Sequence, residues 1–377
     1  MTDFSLVMTG RFRKILKCIG LSLFVSSVPL SAQLLQDSVA LNLVKEDIDY
    51  IYNLKFSEAN EVYPKIVSLY PGHPIVLLLK GIITYWENYP MLHTNPSHVS
   101  FEEDMRQCIR LSETSQNPDN EAEYLLADLC ARGMLLTFYS DNDLIMEVTP
   151  LTISSYKCLR RAFGFSAVCS DLYYFTGVYN YYREAYPDAY PLYKTFAFLF
   201  PKGDKRKGLK ELEIASQNSI FLKAESASFL ASIDLSFDND YPEAAKYSGY
   251  LHNLYPSNIA YLAAYIKSLL LVKQYDEAEK LIKIYGPVTT SSYFQAQLEI
   301  FNGILNEKKY SDPDSAERNY NGGIKSLAAF GKYGLEYTAY AYFGLSRIYS
   351  DKGDRKSSKI FRKKALELAD FKKIDFD

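Results

Sequence analysis

Turn-forming residues are scarce in this 377-residue chain: 18 Gly and 15 Pro together make up less than a tenth of it. A β-sandwich or barrel draws heavily on both for its tight turns, so the shortage weighs against an all-β fold and suits helices joined by short corners. Charge of one sign is lacking too. Lys and Arg total 42 against 45 Asp and Glu, a formal −3, which leaves no basic excess of the kind that nucleic-acid binding requires. Lys205-Arg206-Lys207 and Arg362-Lys363-Lys364 are short groups at expected helix ends and read as solvated faces.

Catalytic signatures are missing as well. There is no H-E-x-x-H, no G-x-S-x-G, no phosphate-cradling glycine loop and no G-x-G-x-x-G. No enzyme activity, cofactor or metal is therefore expected. Of four His, His93 and His98 share a stretch from Pro90 to Ser100 with Glu102, Glu103 and Asp104 beyond. Their spacing matches no metal motif, and Ser100 followed by Glu103 reads instead as a capping box opening a helix after an exposed loop. Gly322-Gly323 reads as a helix break or kink, not a ligand loop.

One uncharged apolar run is present, Cys18 to Val28, preceded by Arg11, Arg13, Lys14 and Lys17 and followed by Pro29-Leu30-Ser31-Ala32. A basic head, a short apolar middle and small residues at the end predict a secretory signal peptide over 1–32, cleaved after Ala32, with Met8 a candidate start. The alternative is an uncleaved anchor, but the run is shorter than the ~20 residues that span a bilayer. No Cys follows the run to carry a lipid, so the expected location is periplasmic or secreted. Cleavage removes four basic residues and Asp3, shifting the formal charge to −6. Four thiols remain, Cys108, Cys130, Cys158 and Cys169. Each sits in an apolar helical pattern, which favours buried single thiols over a disulfide.

Apolar residues make up 48 % of the chain, and tyrosine is unusually abundant, 33 against 22 Phe and one Trp. A repeated phrase organises them. Tyr241-Pro242-Glu243-Ala244 and Tyr275-Asp276-Glu277-Ala278 are 34 residues apart, and Phe56-Ser57-Glu58-Ala59 precedes them. Leu69-Tyr70-Pro71 and Leu254-Tyr255-Pro256 close two of the resulting helices. Between the first two phrases Leu262, Tyr265, Ile266, Leu269 and Leu270 recur every three or four residues, an amphipathic helix. Near the end, Tyr342, Leu345, Tyr349, Gly353-Asp354, Ser358 and Ala365-Leu366-Glu367-Leu368 keep fixed spacings.

These spacings resemble the tetratricopeptide repeat, with Ser346 and Ser358 in place of its usual Gly and Ala, and Arg355 in place of an aromatic. The resemblance implies an all-α fold, a right-handed superhelix of αα-hairpins numbering roughly seven to nine, over residues 33–377. The clearest units are about 225–258, 259–292 and 339–372. Its physical logic is that each hairpin leaves an apolar face which the next one covers, until a polar last helix ends the array. Ala59, Ala244 and Ala278 are expected where paired helices cross closest. Elsewhere the pattern predicts helices over Glu121–Tyr139, Ser154–Phe163 and Asp171–Tyr186, and another opening at Asp312-Pro313. Gly177-Val178-Tyr179-Asn180, Pro191, Gly203-Asp204 and Gly208-Leu209 further resemble the core of the Iml-type tetratricopeptide family, implying a degenerate repeat over 177–209.

Tyr173, Tyr174, Tyr179, Tyr181, Tyr182, Tyr186, Tyr190 and Tyr193 crowd one stretch. Tyr174 and Tyr181, seven apart, are expected on one helix face opposite Leu172 and Phe175. With Asn180 and Arg183 they are the candidate partner-binding residues, since tyrosine offers a flat apolar body with a polar tip. The plainer alternative is that these tyrosines are packing spacers whose hydroxyls reach neighbouring carbonyls. The expected function is a non-catalytic scaffold gripping a protein or peptide partner in the cell envelope. Glycan binding in a surface uptake system is the alternative.

Overall fold

The computed structural model describes residues 33–114, 120–189, 200–369 and Phe376. The signal segment over 1–32, and Tyr190, Pro191 and Tyr193, lie outside them. Every regular element among the described residues is helical. In chain order these are α1 (Ser38–Tyr52), α2 (Phe56–Leu69), α3 (Pro74–Glu87), α4 (Ser97–Thr114), α5 (Glu121–Asp141), α6 (Ile145–Phe165), α7 (Leu172–Ala189) and α8 (Lys205–Asn218). Then follow α9 (Lys223–Ile233), α10 (Tyr241–Leu254), α11 (Ile259–Leu271), α12 (Tyr275–Tyr285), α13 (Ser292–Lys308), α14 (Pro313–Leu327), α15 (Leu335–Asp351) and α16 (Arg355–Leu368). Neighbours in sequence are neighbours in space, from α1 with α2 to α15 with α16, as short corners require.

The corner inside a pair is built alike at four distant places. Leu54, Asp143, Lys273 and Gly353 take left-handed backbone, with φ of 55, 57, 61 and 79°. The following N–H then reaches back five residues: Lys55 to the Tyr50 carbonyl, Leu144 to Tyr139, Gln274 to Leu269 and Asp354 to Tyr349, at 2.8–2.9 Å. Such bonds satisfy carbonyls left open at a helix end. The corner between pairs repeats as well. In Tyr70-Pro71-Gly72-His73 and Tyr255-Pro256-Ser257-Asn258 the fourth residue caps the next helix. His73 Nδ1 accepts from the Ile75 N–H at 3.2 Å, and Asn258 Oδ1 accepts from that of Ala260 at 2.9 Å.

Ala59, Ala244 and Ala278 stand fourth in α2, α10 and α12 and are fully buried, as the repeat pattern demands. Ser358 stands fourth in α16, where its carbonyl accepts a bond of 3.0 Å from the Ser346 hydroxyl across the crossing. Asp312 caps α14 through the Ser315 N–H at 3.0 Å. The last helix buries only Ala365, the expected polar end.

Three local expectations are corrected. α4 starts at Ser97, not after Ser100, because the Asn95 side chain already accepts from the Ser97 N–H at 3.0 Å; Ser100 turns inward to the Ser97 carbonyl instead. α6 begins nine residues before Ser154 and runs through Pro150. Gly322 and Gly323 lie inside unbroken α14. There a Cβ on Gly323 would come within 2.2 Å of Ile300 Cδ1, so this glycine serves close packing on α13 and not a kink.

The array also curls back on itself. Tyr52, at the end of α1, meets Tyr255 and Tyr261 at ring distances of 5.3 and 6.4 Å, and its carbonyl accepts from Asn258 Nδ2 at 3.0 Å. Tyr89 beyond α3 meets Tyr293 and Tyr333, and Lys332 donates to the Ser140 carbonyl. Aromatic rings thus fill the space where distant helices meet. Burial of these rings is what the tyrosine excess provides.

Candidate binding cavity

Space remains inside the curl between α3, α5, α6, α7 and α9: a cavity of about 990 Å³. Its size is at the upper end of ordinary ligand pockets. α3 supplies Tyr85 and Trp86, α7 supplies Phe175, Tyr179 and Tyr182, and α9 supplies Phe229; the buried Tyr52 and Tyr261 line it as well. Apolar periodicity brings these rings together. Each helix turns one stripe to its hairpin partner and a second stripe inward, and the curl makes the inward stripes face one another.

The four predicted contact residues divide. Tyr174 and Arg183 line the cavity. Tyr181 and Asn180 do not. Seven residues fall about 20° short of two full turns, and Tyr174 stands at the edge of the inward stripe, so Tyr181 rotates onto the side that α8 clamps. There Tyr181 is fully buried, with Lys205 Nζ 5.1 Å above its ring, and Asn180 Nδ2 donates to Glu211 Oε2 at 2.8 Å. Phe175, expected opposite to Tyr174, shares the cavity wall with it. The glycines of this stretch have the same cause. A Cβ on Gly208 would lie 2.6 Å from the Tyr181 nitrogen and 2.7 Å from the Gly177 carbonyl oxygen, so α7 and α8 approach backbone to backbone.

Polar groups at the wall are few. Arg132 is spent within the protein: it donates to Asp128 at 2.7 Å, Ser154 at 2.7 Å and Glu113 at 2.6 Å. Arg183 donates to the carbonyl of the exposed Phe200 at 3.1 Å. Glu225 also borders the cavity; its Oε1 accepts from the Tyr52 hydroxyl and Oε2 has no hydrogen-bond partner. Burial raises the Glu225 carboxyl to about 7, against the lowering effect of the Tyr52 bond. The sequence reading missed Glu225, Tyr52, Trp86 and Tyr261. No local motif marks them, since they converge from four helices by tertiary closure.

Elsewhere the chemistry is structural. Cys108, Cys130 and Cys158 are buried free thiols and Cys169 is a half-buried one, and burial pushes Cys158 and Cys169 up to about 12. His93 and His98 lie 4.5 Å apart by ring centre and pack on Phe138, with His98 Nδ1 2.7 Å from the Asn95 carbonyl oxygen. Among the described residues no three potential metal ligands converge, and no helix is long and apolar enough to cross a membrane. The chain matches no protein-family model and no curated protein.

Proposed function

We propose that this chain is an exported, non-catalytic binding protein of tetratricopeptide-like type, a right-handed superhelix of αα-hairpins whose partner places an apolar group in the inner cavity. The partner we favour is a protein or peptide of the cell envelope. The aromatic-walled cavity of about 990 Å³ carries this proposal. An inserted apolar group gains roughly 25 cal/mol for each Å² it hides from water, and the rings meet it at low entropic cost. Glycan binding is supported less well. A sugar brings several hydroxyls, and burying each without a partner costs about 1–3 kcal/mol, while Arg132 is already consumed by its own contacts.

The test uses Nile red, a neutral apolar dye, titrated into the purified protein. Saturable one-to-one binding with blue-shifted emission is expected. Gly133→Trp should abolish it, because Gly133 lines the cavity and a side chain there meets only open space and the edge of Phe175. Gly133→Ala should not. Absence of saturable binding, or equal binding by the Trp variant, would overturn the proposal.

A further inference from the structure

We propose that the ligand of this cavity carries a protonated amine on its apolar body, and that Glu225 is the group that receives it. This rests on the cavity being a binding site, and adds to it the chemistry of the occupant.

Three observations converge on Glu225. It is the one carboxylate among the described residues that line the cavity, and it is bonded to the buried Tyr52. Beyond its own backbone N–H, its hydrogen bond comes from the Tyr52 hydroxyl, on Oε1; Oε2 takes no donor from a neighbouring side chain, and among the described residues no Lys, Arg or His forms an ion pair with it. Among the described residues the groups that act on it electrostatically are acids: Tyr52, Tyr85, Tyr174, Tyr255 and Tyr261, with Cys130 and Asp171. Buried carboxylates normally carry a paired cation, and none is supplied here from within.

The rings beside it complete the case. Tyr52, Trp86 and Tyr261 all border the cavity, with centres 5.7 Å apart for Tyr52–Trp86, 5.7 Å for Trp86–Tyr261 and 6.4 Å for Tyr52–Tyr261. Trp86 meets both tyrosines edge to face, at 69 and 65°, and a ring face left open to the cavity attracts a cation and also accepts the carbon chain that bears it. Oε2 is almost covered, so the carboxyl turns about its final, soft torsion to meet an ammonium hydrogen. The two other charged groups at the wall do not compete for this role. Arg132 is triply bonded to its own neighbours, and Arg183 donates to the carbonyl of the exposed Phe200.

The experiment compares octylamine, octanol and octanoate by calorimetry on the full protein, below their aggregation concentrations and at about pH 8, where the amine is charged. Octylamine should bind about tenfold or more tighter than octanol, the advantage of a charge-assisted bond over a neutral one, and octanoate should bind weakest. In Glu225→Gln the amine-to-octanol ratio should fall to within about twofold. If that variant does not fold, Ser228→Lys serves instead. Residue 228 is one turn along α9 and also borders the cavity, so its ammonium supplies the missing charge in place of the ligand and should collapse the same ratio. Equal binding of octylamine and octanol, a preference for octanoate (which would point to Arg183), or an amine preference that survives both variants would overturn the inference and leave the cavity standing. If neither Nile red nor any octyl compound binds, the cavity itself fails as a binding site.

Discussion

Among the described residues, tyrosine hydroxyls donate to carboxylates more often than to carbonyls. Tyr70 donates to Asp37 at 3.0 Å, Tyr139 to Glu102 at 2.6 Å, Tyr310 to Glu279 at 2.6 Å and Tyr349 to Glu317 at 2.7 Å. At Tyr139 this lets a large ring be buried while its polar tip stays satisfied by a charge-assisted bond; Tyr70 and Tyr349 are half-buried and Tyr310 is exposed. The sequence shows the excess of Tyr, and hence a packing role; it does not show that the partners are acids more often than carbonyls, because these four pairs join residues 31 to 37 apart. Asp47 is the exception. It is fully buried and neither of its oxygens has a partner, so burial, aided by Glu46, raises its carboxyl to about 7. Its unfolded value is near 4. Between these values the folded chain keeps a proton that the unfolded chain releases, so the contribution of Asp47 to stability falls as pH rises from about 4 to 7 and is level above. Asp47→Asn abolishes this slope. Denaturant unfolding should show the variant gaining about 3 kcal/mol on the parent between about pH 4.5 and pH 8. A constant difference across that range would show that Asp47 does not hold its proton.

The helices themselves were largely readable. The repeated aromatic-x-Glu-Ala phrase, the Tyr-Pro closures and the three-or-four periodicity located α2, α10, α11, α12 and α16. The corners inside the pairs were not, because only Gly353 uses the residue that favours left-handed backbone; Leu54, Asp143 and Lys273 adopt it under the pull of the Schellman bonds. Lys273 is exposed and holds φ of 61°. Lys273→Gly relieves the steric cost of that conformation, about 1–2 kcal/mol, against the extra chain entropy of glycine, about 0.5–1 kcal/mol. The variant should be more stable by about 0.5–1 kcal/mol in chemical denaturation, and a loss of stability would refute strain at this corner. The opposite holds at Gly208, where φ is ordinary and space is absent. Gly208→Ala drives a methyl group into the α7 backbone, and helix propensity cannot compensate for the displacement. A loss of about 1–3 kcal/mol is expected, and Tyr181 fluorescence or amide shifts along α7 should report the separation.

Closure of the array separates this molecule from an open row of hairpins, and it is also why the cavity could not be read from the sequence. Local pattern fixes which stripe of each helix is apolar; which stripes meet depends on small rotations accumulated over several pairs. Tyr174 and Arg183 reach the cavity wall from the one aromatic stripe that α7 shows openly, whereas Tyr52 and Glu225 come together only when α1 reaches α9 and α11. The same closure alters how the protein comes apart. In an open array stability is a sum of nearest-neighbour contacts, so damage to the sixth pair leaves the first untouched. Here Tyr261 of α11 is 7 % exposed and touches Tyr52 of α1, Trp86 of α3 and Tyr255 at once. Tyr261→Ala should therefore cost about 3–5 kcal/mol, as for a buried aromatic. In native-state hydrogen exchange the loss should appear in α1 and α3 as well as in α10 to α12. If exchange speeds up only around α11 while α1 and α3 keep their protection, the first and later pairs are not mechanically joined, and the cavity between them is not the rigid, preformed space that the proposed binding role requires.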